Sequence, residues 1–504
     1  MTTEYLKAVA DTNEWWAIAP ELLLACSALA LLVLEIVLPK AQHRFIPHFA
    51  VTTQATIFVL LVAGFYSSYE GWTTFGGLLQ HSAAGHIARV YFVLSSLLVS
   101  FLAGICLPRS KLPRVEFYHI LMVVTAALML LAQSNHFVMF FVALETVTIG
   151  FYILVAYYRD SALSLEAGLK YLVLGALSSA IMLFGIVLLY GAVGRVEVNG
   201  VVHTGFEFGV VADFLQRNPD SFLATAGALL VLGGVAFKIG AFPFQIWIPD
   251  VYQGAPTPVT AFLAVSSKAA GFAVMLTLVL NVFFPLEAVL VPVLSLLAAA
   301  TIIMGNLSAL TQRNTKRLMG LSGVSHAGYL LLGVIAAFTV PWASGAVWFY
   351  LFTYLLASMA VFGVMAYVGG PDDAGQELEH YEKLARNRPF LGGVLAVGVG
   401  SLAGIPPLAG FMGKLLLFIA AFEAHLYGLL AVAVGGVIVS IYYYFGWIKA
   451  AFFEAWTPTA SAETPAPVSA PVPWVGVVTL SALALATVVL GFYQEPLTAW
   501  LQLK

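Results

Sequence analysis

The sequence predicts an all-α polytopic membrane protein with about fourteen transmembrane helices. Of its 504 residues, 61% are hydrophobic and only 9% are charged, whereas soluble domains carry about 25% charged residues. Apolar runs of about 20 residues, long enough to cross a bilayer, recur from end to end. A chain this poor in charge cannot cover a water-facing surface, so we expect a single helical bundle in lipid.

Fourteen segments are expected to span the membrane. They are residues 18–38, 48–66, 89–107, 117–134, 136–157, 164–190, 222–250, 258–280, 287–305, 318–338, 344–368, 390–422, 424–449 and 473–493. The segments 222–250 and 390–422 are long and contain Pro243 and the pair Pro406-Pro407. Proline removes a backbone donor and clashes with the preceding turn, so both helices are expected to be broken inside the bundle.

Basic residues in the connections predict the orientation. With the N-terminus outside, thirteen Lys and Arg residues fall in inside connections and five outside. The thirteen are Lys40, Arg44, Arg109, Lys111, Arg114, Arg159, Arg313, Lys316, Arg317, Lys383, Arg386, Arg388 and Lys449. The five are Lys7, Arg89, Arg195, Arg217 and Lys504. This asymmetry fits the positive-inside rule, and an even number of spans places both termini outside. We therefore expect a multi-pass protein of the cell inner (plasma) membrane with both ends in the periplasm.

Three longer connections contain no recognisable catalytic domain. Residues 191–221 mix charged and aromatic side chains and are expected along the outer surface, and the charged segment 370–389 is expected in the cytoplasm. Residues 457–472 are rich in Pro, Ala, Ser and Thr, which predicts a flexible loop.

The composition also excludes several kinds of partner and cofactor. A formal net charge of −3 gives no indication of a nucleic-acid partner. Cys26 and Cys106 lie inside apolar runs, with no spacing that suggests a metal site, an iron–sulfur cluster or a disulfide framework. The sequence Gly398 to Ala403 formally matches a dinucleotide fingerprint, but it lies inside a membrane helix and lacks the strand that such a motif needs. We expect this chain to bind no cofactor.

Six ionisable side chains lie within the apolar runs. A charge at the centre of a spanning helix costs about 2.5–3.5 kcal/mol, and such residues usually face the bundle interior and mark an ion path. The six residues are Glu145, Lys170, Lys238, Lys268, His326 and Lys414.

Three of the lysines are the leading candidates for proton carriers. Lys238 lies in GGVAFKIGAFPF, Lys268 in AVSSKAAGFAV and Lys414 in GIPPLAGFMGKLLLF. Desolvation disfavours the charged form of an amine, so a buried lysine can alternate between its charged and neutral forms. Lys268 is the strongest candidate, because it is central in its helix and has small, weakly polar neighbours.

Two interpretations remain open for each of the other three residues. Glu145 either fixes its helix by bonding to neighbouring hydroxyls or pairs with a lysine, which releases its proton when the pair weakens. His326 is either a proton relay or a hydrogen-bonded core residue. Lys170 lies nearer the cytoplasmic end of its helix, where an amine can also snorkel towards water.

The two proline-containing segments occupy corresponding places in two five-span units, 117–280 and 287–449, that run in opposite directions. This correspondence predicts an inverted repeat, a common transporter architecture. The chain is then divided into an N-terminal three-helix segment (1–116), a first repeat (117–280), a second repeat (281–449) and a loop with a final helix (450–504).

Four segments together resemble a known family. FKIGAFPFQIWIPDVYQGAPTPVTAFLAVSSKAAGF (Phe237 to Phe272) closely resembles the signature of the antiporter-like subunits of respiratory complex I, the NADH–quinone oxidoreductase. The segments LETVTIGFYILVAY, LMGLSGVSHAGYLL and LAGIPPLAGFMGKLLLF extend the similarity, which covers roughly residues 117–450.

The resemblance implies two inverted five-helix repeats joined by a hydrated axis of charged residues. It implies Glu145 paired with Lys238, Lys268 as the central relay and Lys414 on the second broken helix. The family often has histidine where this chain has Gln245, so water is expected to replace a direct relay there.

The resemblance also implies proton translocation coupled to electron transfer from NADH to quinone. NADH, FMN, iron–sulfur clusters and quinone are then used by partner subunits. The expected partners are other membrane subunits of complex I, including homologous antiporter-like subunits, the peripheral NADH-oxidising arm and the lipid bilayer. The alternatives are a subunit of an Mrp-type cation/proton antiporter or membrane-bound hydrogenase, and a scaffold subunit that binds neighbours or quinone without conducting protons.

Overall fold

The structure is a computed structural model. It describes residues 10–39, 43, 45–64, 71–110, 112–198, 201–370, 373–453 and 472–501. The predicted flexible loop at 457–472 falls outside the described residues except for Val472, as do Lys7 and Lys504 of the orientation count.

Helices make up most of the described chain. In chain order they are α1 (Ala19–Val37), α2 (Ile46–Gly64), α3 (Ala83–Cys106), α4 (Val115–Leu131), α5 (Phe137–Val155), α6 (Ala162–Val193), α7 (Phe208–Arg217), α8 (Phe222–Ile239), α9 (Ile248–Gly254), α10 (Thr257–Phe262), α11 (Lys268–Thr277), α12 (Glu287–Leu310), α13 (Thr315–Ala336), α14 (Ala343–Val368), α15 (Leu384–Asn387), α16 (Pro389–Ala403), α17 (Ala409–Glu423), α18 (Tyr427–Phe452), α19 (Trp474–Phe492) and α20 (Glu495–Trp500).

Two small antiparallel hairpins interrupt the helical pattern in the connections. They are β1 (Trp72–Thr74) with β2 (Leu79–His81), and β3 (Arg195–Val198) with β4 (Val201–Thr204). The second hairpin and the amphipathic helix α7 fill most of the segment 191–221, and α7 buries Phe208, Val211 and Leu215. The aromatic residues of this segment therefore pack against the bundle instead of standing free.

In the described part of the chain, twelve helical segments are long and apolar enough to cross a membrane. Two shorter apolar helices, Val115–Leu131 and Pro389–Ala403, lie in the two remaining predicted spans. The chain is a multi-pass membrane protein, as its composition requires. The count of fourteen, the inverted repeat and the division into domains stay predictions.

Both proline-containing segments are interrupted in the structure. Helix α8 ends at Gly240, and a short 3-10 turn (Phe244–Trp247) follows before α9. Helix α16 ends at Gly404, and α17 begins five residues later at Ala409. The φ angles of Gly240 and Gly404 are 72° and 84°, in the left-handed region where a residue without Cβ is favoured. Each helix thus stops at a glycine that precedes the proline.

The segment that carries Lys268 has a wider turn in its middle. A π-helical turn at Leu263–Ser267 lies between α10 and α11, immediately before Lys268. Such turns insert one extra residue and occur frequently at functional sites. The expected single helix is therefore irregular at the lysine that the sequence identifies as most important.

The centre of the bundle is formed by α13, α14 and the segment 257–282, which are buried on nearly all sides. Peripheral helices expose large apolar side chains, including Ile36, Leu296 and Ile438. An apolar outer surface is what a lipid-facing protein requires, because lipid tails cover apolar side chains without the hydration cost that water imposes. The polar groups in the central segments are consequently kept away from lipid.

Two basic residues counted in connections are in fact buried in helices. Arg89 lies in α3, and its guanidinium bonds to the Glu21 carboxylate of α1 at 2.5 and 2.7 Å. Lys316 lies in the first turn of α13, where its amine pairs with Asp373 and donates to the Ala255 carbonyl at 2.8 Å. The placement of both in connections was wrong, because each charge is satisfied by a partner that is distant in sequence.

Candidate functional site

Lys238 lies in the last turn of α8 and is 7% exposed. Its amine donates a hydrogen bond to Thr148 Oγ1 of α5 at 2.5 Å. Thr148 in turn donates to the Leu144 carbonyl at 2.7 Å, which orients the hydroxyl lone pairs towards the amine. A neutral hydroxyl therefore holds this buried amine.

Glu145 lies one turn before Thr148 on α5, and it is half-buried. Its carboxylate accepts a hydrogen bond from Ser179 Oγ of α6 at 2.5 Å. The expected direct ion pair between Glu145 and Lys238 is absent from the described side chains, although the carboxylate lies within electrostatic range of the amine. The structure thus gives Glu145 the hydroxyl partner of the first interpretation and keeps it near the lysine of the second.

A small cavity lies between Lys238 and the segment that carries Lys268. Its volume is about 10 Å³, and its lining includes Thr148, Tyr171, Lys238 and Ser267. This volume is close to the minimum that holds one water molecule, and the lining supplies several polar partners for it. Ser267 in the lining is the residue before Lys268, so the cavity extends from the Lys238 side chain to the segment that carries Lys268.

Lys268 is 4% exposed and lies against α13. Its amine donates to the Gly323 carbonyl and lies 5.2 Å from the centre of the Tyr354 ring. A Cβ atom at Gly323 would lie 2.9 Å from this amine, so glycine leaves room for the amine at this carbonyl. Among the described residues no carboxylate pairs with Lys268.

His326 lies one turn after Gly323 on the same helix. One ring nitrogen is 2.5 Å from Tyr350 Oη, and the other is 3.0 Å from Tyr444 Oη. The ring also packs against Tyr354, with 5.1 Å between centroids. Both Lys268 and Lys414 lie within its electrostatic range. His326 is therefore a hydrogen-bonded core residue that also lies between two buried amines.

Lys414 lies on α17 and is 3% exposed. Its amine donates to the carbonyls of Leu402 and Ala403 at 2.9 and 3.0 Å. These are the last carbonyls of α16, which the helix break leaves without intrahelical partners. The partial negative charge at a helix C-terminus also stabilises an ammonium group.

Each of the two broken helices has a buried lysine associated with the end of its first half. Lys238 precedes its break and Lys414 follows its break, which makes their positions in the sequence look different. In the structure Lys238 is itself part of the last turn of α8, whereas the Lys414 amine binds the last carbonyls of α16.

The expectation that Lys170 is buried is wrong. Its side chain is 42% exposed, and its amine forms ion pairs with Glu166 at 2.7 Å and Asp250 at 2.6 Å. Asp250 also binds Arg317 of α13 at 2.8 Å. Lys170 thus belongs to a charged cluster at the edge of the bundle, in agreement with the alternative that its amine reaches towards water.

Several residues of the site were not identified from the sequence. Thr148 and Ser179 are single hydroxyl residues in apolar helices, and the sequence pattern around Tyr350 and Tyr444 predicts only aromatic residues of the core. The sequence spacing could have identified Thr148, because it lies three residues after Glu145 and therefore on the same face of the helix. The tyrosine partners of His326 depend on packing between helices distant in sequence.

The described residues contain no group of three or more His, Cys, Asp or Glu side chains arranged to hold a metal ion. Cys26 and Cys106 are both free thiols. At Gln245, the side-chain oxygen is buried and has no hydrogen-bond partner in the described structure.

Broken membrane helices that carry buried amines define an antiporter-like membrane subunit. The sequence model described as NADH:quinone oxidoreductase/Mrp antiporter, TM, matches residues 134–440. NADH-quinone oxidoreductase subunit N 1 of Opitutus terrae is 61% identical, over 99% of each chain. The corresponding subunit N 1 of Rhizobium meliloti is 35% identical, over 86% of this chain and 88% of the relative. The chain belongs to the NADH-quinone oxidoreductase subunit N family.

Solved structures agree with this assignment. A chain of respiratory complex I from Thermus thermophilus superposes with a TM-score of 0.78 at 32% identity, covering 95% of this chain and 98% of that chain. A chain of the Mrp complex from Dietzia sp. gives a TM-score of 0.79 at 20% identity, with 96% of each chain covered. The second likeness shows a shared fold.

Proposed function

We propose that this chain translocates protons as a membrane subunit of an NADH–quinone oxidoreductase. The observation that carries the proposal is the set of three buried amines, Lys238, Lys268 and Lys414, none of which forms an ion pair among the described residues. A buried ammonium without a carboxylate is costly to keep charged, so it can lose and regain a proton.

The route begins at Lys238 and reaches Lys268 through the cavity beside Ser267. A water molecule in this cavity accepts the proton of Lys238, and the proton then reaches Lys268 along the segment that contains Ser267. From Lys268 the route continues past Tyr354 to His326, whose two nitrogens take up and release protons on opposite sides of the ring. Lys414 is the next carrier.

Glu145 acts on the first step through its charge. A shift of its carboxylate from Ser179 towards Lys238 stabilises the ammonium form of the lysine, and return of the carboxylate to its bond with Ser179 weakens that stabilisation and favours proton release. The energy comes from NADH oxidation and quinone reduction in partner subunits. The broken helices are the two-state elements that transmit this energy to the buried lysines.

The chain acts as part of a translocase. Partner subunits supply NADH oxidation, FMN, the iron–sulfur clusters and quinone reduction, and this chain supplies buried proton carriers. Its neighbours are other membrane subunits, among them homologous antiporter-like chains, and the peripheral NADH-oxidising arm. It lies in the cell inner membrane with both termini outside.

The experiment measures NADH-driven proton uptake by inverted membrane vesicles that contain the assembled complex. Lys238→Ala, Lys268→Ala and Lys414→Ala should each lower proton uptake by about tenfold or more, equal to a barrier increase of about 1.4 kcal/mol, while the complex still assembles. The exposed Lys449 provides a matched control, and Lys449→Ala should pump normally. Normal pumping by assembled Lys268→Ala complex would refute the assignment.

The shared fold with the Mrp complex favours a cation/proton antiporter as the second candidate function. The two functions differ in their dependence on sodium. Proton uptake by the wild-type complex should be the same in sodium-free buffer, whereas an antiporter requires the exchanged cation.

A further inference from the structure

A large cavity lies apart from the proton route, at one end of the bundle. Its volume is about 630 Å³, and it is bounded by α2, α3, the start of α4 and α19. Most of the wall is apolar, with Val51, Leu98, Leu102, Leu480 and Leu483 among the lining residues. This volume lies within the range of about 300–1,000 Å³ that is common for small-molecule sites.

The polar groups at this cavity carry a positive charge and no negative charge. Arg114 precedes α4, is exposed, and forms no ion pair with any described residue. No carboxylate belongs to the lining. Glu116, two residues after Arg114, is not among the lining residues. A guanidinium group is therefore available beside an apolar cavity.

The cavity lies at the ends of the helices that line it, which is the depth in a bilayer where lipid acyl chains meet the headgroups. It is lined by the first turn of α2, the last turns of α3, the residues before and within the first turn of α4, and the first turns of α19. Trp474, also in the lining, is 76% exposed. Tryptophan is enriched where membrane meets water.

We propose that this cavity binds one anionic glycerophospholipid, with an acyl chain between α2, α3 and α19 and the phosphate on Arg114. Guanidinium groups bind phosphate oxygens in bidentate fashion. In the proposed orientation this end faces the cytoplasm, whose leaflet is rich in anionic lipid.

Gly104 offers a way to fill the cavity. It lines the cavity, and a Cβ atom there would meet only Tyr118 Oη, at 3.9 Å. Gly191 of α6 is a matched control, because a Cβ atom there meets nothing within 4 Å and the residue lies away from the cavity.

The test uses the assembled complex in nanodiscs with a photoactivatable phosphatidylglycerol, followed by mapping of labelled peptides. In the wild type we expect labelling of the peptides that contain Leu98–Leu107 and Trp474–Leu483, with competition by unlabelled phosphatidylglycerol and weaker competition by phosphatidylcholine. Gly104→Phe should abolish this labelling, whereas Gly191→Phe should retain it. Arg114→Gln should weaken it about fivefold, and Arg114→Lys should largely preserve it.

Three results would overturn the proposal. Labelling that Gly104→Phe does not reduce would place the lipid outside the cavity. Equal competition by both lipids, with no effect of Arg114→Gln, would indicate bulk lipid at the protein surface. No labelling of these peptides in the wild type would indicate that a partner subunit fills the cavity.

Discussion

At the scale of single residues, the three buried amines are held by neutral oxygen atoms. Lys238 donates to a threonine hydroxyl, Lys268 to one backbone carbonyl and Lys414 to two. A carboxylate would hold an amine strongly in its charged form, whereas a neutral oxygen discriminates less between the charged and neutral forms. Amines bound in this way can release a proton when the electrostatic potential around them changes by a small amount.

Thr148→Val tests the role of the hydroxyl partner of Lys238. Valine keeps the shape of the side chain but leaves the buried amine without its acceptor, at a cost of about 1–3 kcal/mol. We expect a clear loss of NADH-driven proton uptake by the assembled complex. The control is Thr146→Val on the same helix, because Thr146 bonds only to its own helix at the Val142 carbonyl. Equal effects of both variants would contradict the proposed role.

Single residues also show where sequence reasoning stops. The burial of Lys238, Lys268 and Lys414 follows from their long apolar surroundings. The exposure of Lys170 cannot be predicted from its apolar surroundings, because it depends on Glu166 and Asp250 lying at the same edge of the bundle. The separation of Glu145 from Lys238 depends on rotations of α5 and α8 that hydrophobic periodicity leaves undetermined.

At the scale of secondary-structure elements, the break between α16 and α17 creates the binding environment for the Lys414 amine. Prolines in the sequence indicate that each helix is interrupted. They do not show that the last turn before each break holds a lysine, because Lys414 reaches back to α16 across the interruption. The π-helical turn before Lys268 has no sequence signal that we recognise.

Gly404→Ala tests the geometry of the second break. Gly404 has a φ of 84°, and a Cβ atom there would lie 3.0 Å from Lys414 Cδ. We expect a loss of about 1–2 kcal/mol from the left-handed backbone alone, measured as a lower midpoint temperature for loss of the assembled complex. Gly393→Ala in the same half-helix is the control, since its Cβ atom meets nothing within 4 Å and alanine favours helix. An unchanged midpoint for Gly404→Ala would contradict this account of the break.

At the scale of the whole molecule, buried ion pairs attach the outer segments to the central bundle. Glu21 and Arg89 connect α1 with α3, and Glu21 also accepts a hydrogen bond from Gln133 at 2.8 Å. Lys316 and Asp373 join the start of α13 to the connection that follows α14. The sequence predicted membrane insertion and the helical class, but long-range pairs of this kind cannot be assigned from periodicity.

Arg89→Ala tests the contribution of the first pair. The change leaves the Glu21 carboxylate buried without its partner, at a cost of about 3–5 kcal/mol, so we expect a marked fall in assembled complex. The double variant Glu21→Leu/Arg89→Met should recover much of the assembly. As a control, Glu379→Ala removes an exposed pair with Arg313 and should change stability by less than about 1 kcal/mol. A double variant as defective as Arg89→Ala would show that the charge imbalance is not the cause.

The most direct test of the account is a high-resolution experimental map of the assembled complex in lipid, in which ordered water can be seen. We predict water in the cavity between Lys238 and Ser267 and a continuous polar connection onward through Lys268 and His326 to Lys414. Dry apolar packing that separates any two of these amines, with no water or hydroxyl group between them, would contradict a single proton route through this chain.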